Sequence, residues 1–478
     1  MTTPLSRRRP AALLIVAAAA AGTACAAASA QSTAVDLLVT NGTVVTMNAT
    51  REVIENGVVA VRGSQIVAVG PAATAASFTA ARTIDARGGL VTPGFVNTHT
   101  HASMTVFRGL GDDVPDRLRA LIFPLEKALV DRELVYWGGL HGMVEMLEGG
   151  VTTFADMYYF EDEVARAAEA IGMRGVLGET IVDFPAPDAA EPYGGLAYAR
   201  SFIAKYKGHP LVTPAFAPHA PYSLDEARLR QVAAEAEAAG VPLLMHVAEM
   251  ADEVETFRKT RNQTPVEYLE AIGVLSPRLL AAHAIFVTES DIATLRRRDV
   301  GVAHAMVANI KSAKGVAPAL SMFKQGVRVG LATDGPMSGN TLDIIGQLGY
   351  VAKVHKLDQK NRNVMPAIDV VEMATIGGAR ALHMERSIGS LEPGKLADVV
   401  IVDTDRAAMV PLYDPYSALV YAANAADVRT TIVHGKVVVD DRRVVTVDAA
   451  AVRAKMRDIG RRVTARVTKG LGSASGQD

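Results

Sequence analysis

His99 and His101 close the run Val91-Thr-Pro-Gly-Phe-Val-Asn-Thr-His-Thr-His101. On an extended strand alternate side chains share a face, so two imidazoles at i and i+2 can reach one metal ion. A His-x-His arises by chance in long chains, so its weight depends on its company. Here the company is a series of ionisable residues that each end an apolar run: Pro218-His219-Ala-Pro-Tyr222, His246-Val-Ala-Glu249, His283, His304 and Thr333-Asp334-Gly335. Singly, His246 could be a satisfied core histidine and Asp334 simple turn chemistry. Gathered at one end of one fold, several imidazoles and a carboxylate need a cation or mutual pairing, because burying them without either costs several kcal/mol.

The elements that would gather them follow from periodicity. Between about residues 90 and 385, eight strand-like runs alternate with helical patterns: Val91 to Asn97, Val151 to Asp156, Gly175 to Val182, Leu211 to Ala217, Pro242 to His246, Leu279 to His283, Val300 to His304 and Val327 to Thr333. This alternation predicts an α/β fold, a (β/α)8 TIM barrel, whose reactive groups sit where strands end at the C-terminal face. The helices carry their own punctuation. Ser223-x-x-Glu226 reads as a capping box with Gly240 as terminator, and Thr264-Pro265-Val-Glu267 repeats the device with Pro at the first helical position.

From Val35 to about Ile84, and again from Asp398 to Val447, short β-rich runs alternate with turns, including Asn41-Gly42 and Gly63-Ser64 as hairpin signals. Both ends of the chain are therefore expected to build one small β-sandwich domain from residues 33–89 and 386–450, enclosing the barrel of 90–385. Residues 451–478 read as a C-terminal helix and tail.

The first thirty residues differ in kind. Arg7, Arg8 and Arg9 precede the apolar run Ala11 to Ala21, and Ala28-Ser-Ala30 precedes Gln31. That order predicts a secretory signal peptide over 1–30, since the apolar run is too short for a stable membrane span. An exported, periplasmic protein follows. Ser6-Arg-Arg-Arg9 leaves the twin-arginine route open, and Gly22-Thr-Ala-Cys25 is a poor lipoprotein site. Cys25 is the only cysteine, so any metal in the mature chain must be held by His and carboxylates. Removing three Arg and no acid moves the formal charge from −2 to −5, and no basic patch recruits nucleic acid. The expected partner is a small-molecule substrate.

The order His-x-His, His, His, Asp on strands one, five, six and eight resembles the amidohydrolase superfamily over essentially all of residues 33 to 450. Pro93 to His101, Arg108-Gly-Leu-Gly-Asp112, Pro218 to Tyr222, His246 to Glu249 and Ile388-Gly-Ser-Leu-Glu-Pro-Gly-Lys-Leu-Ala-Asp398 are similar to its aminohydrolase and chlorohydrolase branch, nearest to methylthioadenosine/S-adenosylhomocysteine deaminases. Leu211 to His219 contains no Lys that could be carboxylated to bridge two ions, so the resemblance implies one divalent metal ion. It places that ion on His99, His101, His246 and Asp334. Zinc suits these donors best, with iron, cobalt or manganese as alternatives. The resemblance further implies that hydroxide on the ion attacks the substrate, that Glu249 relays a proton to a substrate nitrogen, and that His283 with Asp334 orients and deprotonates the nucleophile. Glu126, in Phe123-Pro-Leu-Glu126, matches the ribose-contacting acid of these deaminases, although a helix-surface salt bridge explains it equally well. His219 is expected to face the substrate, and His304 either to face it or to be a packed strand residue. Relatives often pair through the barrel exterior, so a homo-oligomer is a further expectation.

Two stretches depart from the resemblance. Glu179, in Leu177-Gly-Glu-Thr-Ile-Val-Asp183, stands where an arginine for an anionic tail would fall. The strand-seven loop reads His304-Ala-Met-Val-Ala-Asn309 instead of His-Asn-Pro-x-Ser-Asn. The expected function is deamination of a purine-, pterin- or triazine-like N-heterocycle, with hydrolysis of an exocyclic amide, urea or carbamate C–N bond as the alternative. A metal or ligand binder without turnover would not need Glu249 and His283.

Overall fold

The computed structural model describes residues 32–114 and 117–474. The segment 1–30, read as a signal peptide, lies outside the described residues. Five strands open the fold: β1 (Thr33–Val45), β2 (Val53–Arg62), β3 (Gln65–Pro71), β4 (Phe78–Asp85) and β5 (Leu90–Pro93). Eight parallel strands follow: β6 (Phe95–Thr100), β7 (Val151–Tyr158), β8 (Arg174–Ile181), β9 (Val212–Pro218), β10 (Leu243–Val247), β11 (Leu279–His283), β12 (Gly301–His304) and β13 (Arg328–Leu331). Four more complete the chain: β14 (Val399–Val402), β15 (Val428–Val433), β16 (Lys436–Asp440) and β17 (Arg443–Val444).

The terminal strands form one mixed sheet in the order β17-β16-β15-β14-β5-β1-β2-β3, with β4 beside β1. Its two halves share an apolar core to which Val39, Val59 and Ile66 contribute from one chain end and Val399, Ile401 and Ile432 from the other. Asn41-Gly42 makes no hairpin. β1 runs through it as a bulge, with Asn41 at φ 55°. There β1 exchanges its neighbour β4, paired at Thr33 to Thr40, for β5, paired at Thr43 and Val44. The left-handed tolerance that favours a turn is used to shift register within a strand. Gly63-Ser64 is the expected hairpin between β2 and β3.

The strand expected from Val91 to Asn97 is two strands. Leu90–Pro93 pairs with β14 in the terminal sheet, and Phe95–Thr100 pairs with β7 in the barrel. Gly94 lies between them, where any Cβ would come 2.0 Å from Thr152 Oγ1. Inside the barrel the packing is largely alanine, with Ala155, Ala215, Ala217, Ala282, Ala303 and Ala332 all buried. Between β6 and β13 the barrel closes partly through side chains. Thr98 Oγ1 donates to Leu331 O at 2.9 Å, and Asn97 Nδ2 donates to Thr333 Oγ1 at 2.8 Å. Asp334 N donates to His99 O at 3.1 Å, so the seam sets the first strand's histidines beside the last strand's aspartate.

The helices begin and end for local reasons. Thr264 and Glu267 cap each other reciprocally with Pro265 at the start, and Gly240 stops its helix at φ 72°. Helix Glu226–Ala239 is capped by Asp225, which accepts from Arg228 N. Ser223 instead bonds across its own turn to Ala220. The C-terminal helix spans Ala449–Ala474, and its docking on helix Arg132–Glu148 includes the Arg462–Glu133 and Lys455–Glu133 ion pairs. Among the described residues no helix is long and apolar enough to cross a membrane.

Candidate active site

The ends of β6, β10, β11 and β13 deliver their ionisable side chains to one point. His99 and His101 stand with ring centroids 4.9 Å apart, and His246 lies 4.9 Å from His99. Asp334 Oδ1 is 3.4 Å from His101 Nε2 and 3.7 Å from His99 Nε2. His99, His101 and His246 each offer a donor atom within 4.8 Å of the others, as do His99, His283 and Asp334. Backbone geometry helps to aim these groups. Asp334 at φ 60° and His283 at φ 71° occupy the left-handed region at their strand ends, a conformation that costs free energy and recurs at functional sites.

The outer nitrogen of three rings is committed elsewhere. His101 Nδ1 faces Met157 O at 2.5 Å, His246 Nδ1 faces His219 O at 2.9 Å, and His283 Nδ1 faces Asn309 Oδ1 at 2.9 Å. A carbonyl acceptor requires hydrogen on Nδ1, which leaves the Nε2 lone pair directed inward, as metal-ligating histidines require. Burial, reinforced by the neighbouring imidazoles, drives His99 and His246 well below the usual histidine range. Burial opposes the charge on Asp334, but His283 and His101 together hold its carboxyl down at about 2. With His99 and His246 held neutral and Asp334 held ionised, these three carry the protonation states of ligands. His99 Nε2 and His283 Nε2 are buried without a hydrogen-bond partner, a cost that a bound cation at this point removes. The donor set therefore fits a divalent metal ion.

Above it opens a cavity of about 500 Å³. Glu249 enters from the turn after β10, its Oε1 3.6 Å from His283 Nε2. Burial works against its charge, yet His283 and Lys314 outweigh that and hold the carboxyl well below the ordinary glutamate range. His219 lines the same wall, and burial, then His101, lowers it to about 4. Glu126, from helix Phe123–Leu129, faces inward and not onto the helix surface. Tyr158 Oη donates to its Oε1 at 2.6 Å, and burial pushes its carboxyl up to about 7 against that bond. Phe123, Tyr159, Tyr222 and Met250 give the cavity its apolar surface.

Two expectations change. His304 does not line the cavity. It is buried with its Nε2 3.2 Å from His355 Nε2, as a strand residue turned toward the surrounding helices. Glu179 does not face the cavity either. It is fully buried and accepts from Glu161 N at 2.9 Å, so it presents no charge to a substrate tail. The positive side chains at the cavity come from other stretches, Arg117 and Arg119 before helix Phe123–Leu129, and Lys311 and Lys314 after β12. Sequence reasoning also missed Asn309 behind His283, Tyr158 behind Glu126, and Glu253, whose carboxylate accepts the N–H groups of Ala248, Glu249 and Met250. Of these only Glu253 carried a local signal, an acid four residues beyond Glu249 at the start of a helix.

Comparison with known proteins identifies the family. A 5-methylthioadenosine/S-adenosylhomocysteine deaminase of Syntrophobacter fumaroxidans is 43% identical over 435 residues, covering 90% of this chain and 99% of the relative. The crystal structure of an adenosine deaminase from Xanthomonas campestris with bound zinc superposes with a TM-score of 0.89 at 34% identity, over 91% of this chain and 100% of that one. The fold is also that of atrazine chlorohydrolase from Arthrobacter aurescens, at a TM-score of 0.83 and 24% identity over 89% of this chain and 100% of that one. The amidohydrolase family model matches residues 90–438. On that match and these relatives, the chain belongs to the amidohydrolase family and is a hydrolase of carbon–nitrogen bonds.

Proposed function

We propose that this protein hydrolytically deaminates a purine-like N-heterocycle, releasing ammonia from an exocyclic amine. The observation that carries the reading is the position of Glu249, an ionised carboxylate beside His283 in the cavity that Glu126 and Tyr158 also line. The names of the similar deaminases support the same substrate class.

His99, His101, His246 and Asp334 would hold the ion, and zinc is the ion this reading assigns, since three nitrogens and one oxygen suit it. When bound, the ion supplies Lewis acidity that makes a hydroxide nucleophile available near neutral pH. The chain's own groups then handle the protons. Glu249 takes a proton from the attacking water at its carboxylate and delivers it to the ring nitrogen, which makes the amine-bearing carbon electrophilic. His283, locked by Asn309 with Nε2 facing inward, accepts a hydrogen bond from that water and sets its direction. Glu126 and Tyr158 anchor the part of the substrate away from the reacting carbon. Work outside the cytoplasm belongs to the same proposal, on the strength of the leader Arg7 to Ala30.

The test is Glu249→Gln with a panel of aminated heterocycles and aryl amides or ureas. The wild type should release ammonia from at least one purine-type amine. The variant should lower kcat roughly 100- to 10,000-fold while metal content stays near about one ion per chain. Amine release from the amides or ureas, with no ammonia from any heterocycle, would replace this reading by exocyclic amide hydrolysis at the same residues.

A further inference from the structure

The loop after β12, one of the two stretches that depart from the family resemblance, holds a cation that the chemistry above leaves unused. Helix Met306–Lys311 ends in a turn where Lys314 N donates to Asn309 O at 3.0 Å, and Gly315 continues at φ 133°. From this turn the Lys314 ammonium donates to Glu249 Oε1. The same few residues therefore fix both groups facing that oxygen, His283 through Asn309 and the ammonium directly. Both side chains of the pair are mostly buried, 22% exposed for Lys314 and 15% for Glu249, and both line the cavity.

Glu249's backbone is secured from elsewhere, its N–H bonded to Glu253 Oε2 at 2.9 Å. Its three side-chain torsions are not. Among the described residues no backbone N–H donates to its carboxylate, which could otherwise swing into a cavity of about 500 Å³. A charge-assisted bond from a lysine supplies the missing restraint. An ammonium also tolerates rotation of the carboxylate that a bidentate guanidinium would resist, so the glutamate can turn between water and ring nitrogen without losing its partner.

We infer that Lys314 is the positioning residue for Glu249, holding its carboxylate toward the metal-ligand cluster throughout the proton transfer. The inference rests on the reading of Glu249 as proton carrier. Because Lys314 acts on the orientation of the carrier, its loss should fall on kcat and leave KM nearly unchanged.

The test uses the full chain loaded with zinc. Lys314→Gln should lower kcat roughly 10- to 100-fold with metal content and unfolding midpoint preserved. Lys314→Cys should be equally impaired and recover on alkylation with 2-bromoethylamine, which rebuilds a lysine-length ammonium, and fail to recover on neutral methylthiolation. Cys25 is the only other thiol, so wild-type protein carried through both treatments controls for it. A kcat for Lys314→Gln within twofold of wild type, loss of metal in parallel with kcat, or equal activity of the alkylated and methylthiolated forms of Lys314→Cys would each overturn the inference. Glu249→Gln run alongside separates the two claims. If that variant keeps its activity the proton-carrier reading fails, whereas an inactive Glu249→Gln beside a fully active Lys314→Gln removes only the role of Lys314.

Discussion

Replacing Glu126 by Gln should make the protein more stable at alkaline pH while impairing substrate binding. The Glu126 side chain is 5% exposed, accepts from Tyr158 Oη, and is pushed by burial from an ordinary value of 4.5 up to about 7. Below pH 4.5 the carboxyl is neutral in both folded and unfolded chains and its contribution to stability is fully present. Between 4.5 and 7 the unfolded chain releases the proton and the folded chain retains it, so stability falls as pH rises, by about 1.4 kcal/mol per unit, and the loss levels off above 7. Glu126 therefore withdraws about 2–3 kcal/mol of stability between about pH 5 and about pH 8. Gln keeps the shape and the acceptor for Tyr158 but cannot ionise. The assay is urea unfolding of wild type and Glu126→Gln at both pH values, with metal saturating and no substrate, so that histidine and metal contributions cancel in the difference. The variant's advantage should grow by about 2–3 kcal/mol from about pH 5 to about pH 8. An advantage unchanged with pH would refute the buried, proton-retaining carboxyl, and an unchanged KM would remove its role as a substrate anchor. A stability cost at a binding residue is the expected trade-off.

Two other predictions concern the frame and the metal. Arg174 and Asp398, 2% and 3% exposed, pair between β8 and the segment entering β14, with His434 N also donating to Asp398 at 2.8 Å. Arg174→Met should cost about 3–5 kcal/mol in urea unfolding by stranding a buried carboxylate, and adding Asp398→Leu should recover much of it. Chelation should abolish activity and zinc should restore it. His246→Ala should bind far less metal by elemental analysis, and for the wild type a free metal concentration of about 100 Kd should raise stability by about 2.7 kcal/mol over the stripped protein. Retention of metal by His246→Ala would overturn the ligand assignment.

Much of the site is legible in the amino-acid order because its signals are periodic or local. Each barrel strand is a mostly buried run of four to eight residues, and an ionisable residue at its end is expected at the mouth of a (β/α)8 fold. His99, His101, His246, His283 and Asp334 follow from that rule. His304 obeys the same rule and breaks its consequence, since which side of the barrel wall a terminal side chain takes depends on neighbours such as His355, 51 residues away. Glu179 departs for the same reason. Alignment with a substrate-facing position says nothing about where its carboxylate turns once Glu161 N is beside it. Asn41-Gly42 and Ser223 carry local motifs that each support two outcomes, a turn or a bulge, a cap or a tight bend, and long-range pairing chooses between them.

By itself, then, the amino-acid order determined the strands, the capped start of the helix at Pro265 and a ligand set of nitrogen and oxygen donors, because these depend on residues within a few positions of one another. The tertiary structure decided that Asn309 fixes His283, that Tyr158 faces Glu126, that Lys314 reaches Glu249, and that Asp334 lies beside His99 and His101. Each of these joins side chains 26 to 235 residues apart. Burial alone makes them consequential, since the same charged groups in water would neither shift in proton affinity nor hold one another in place.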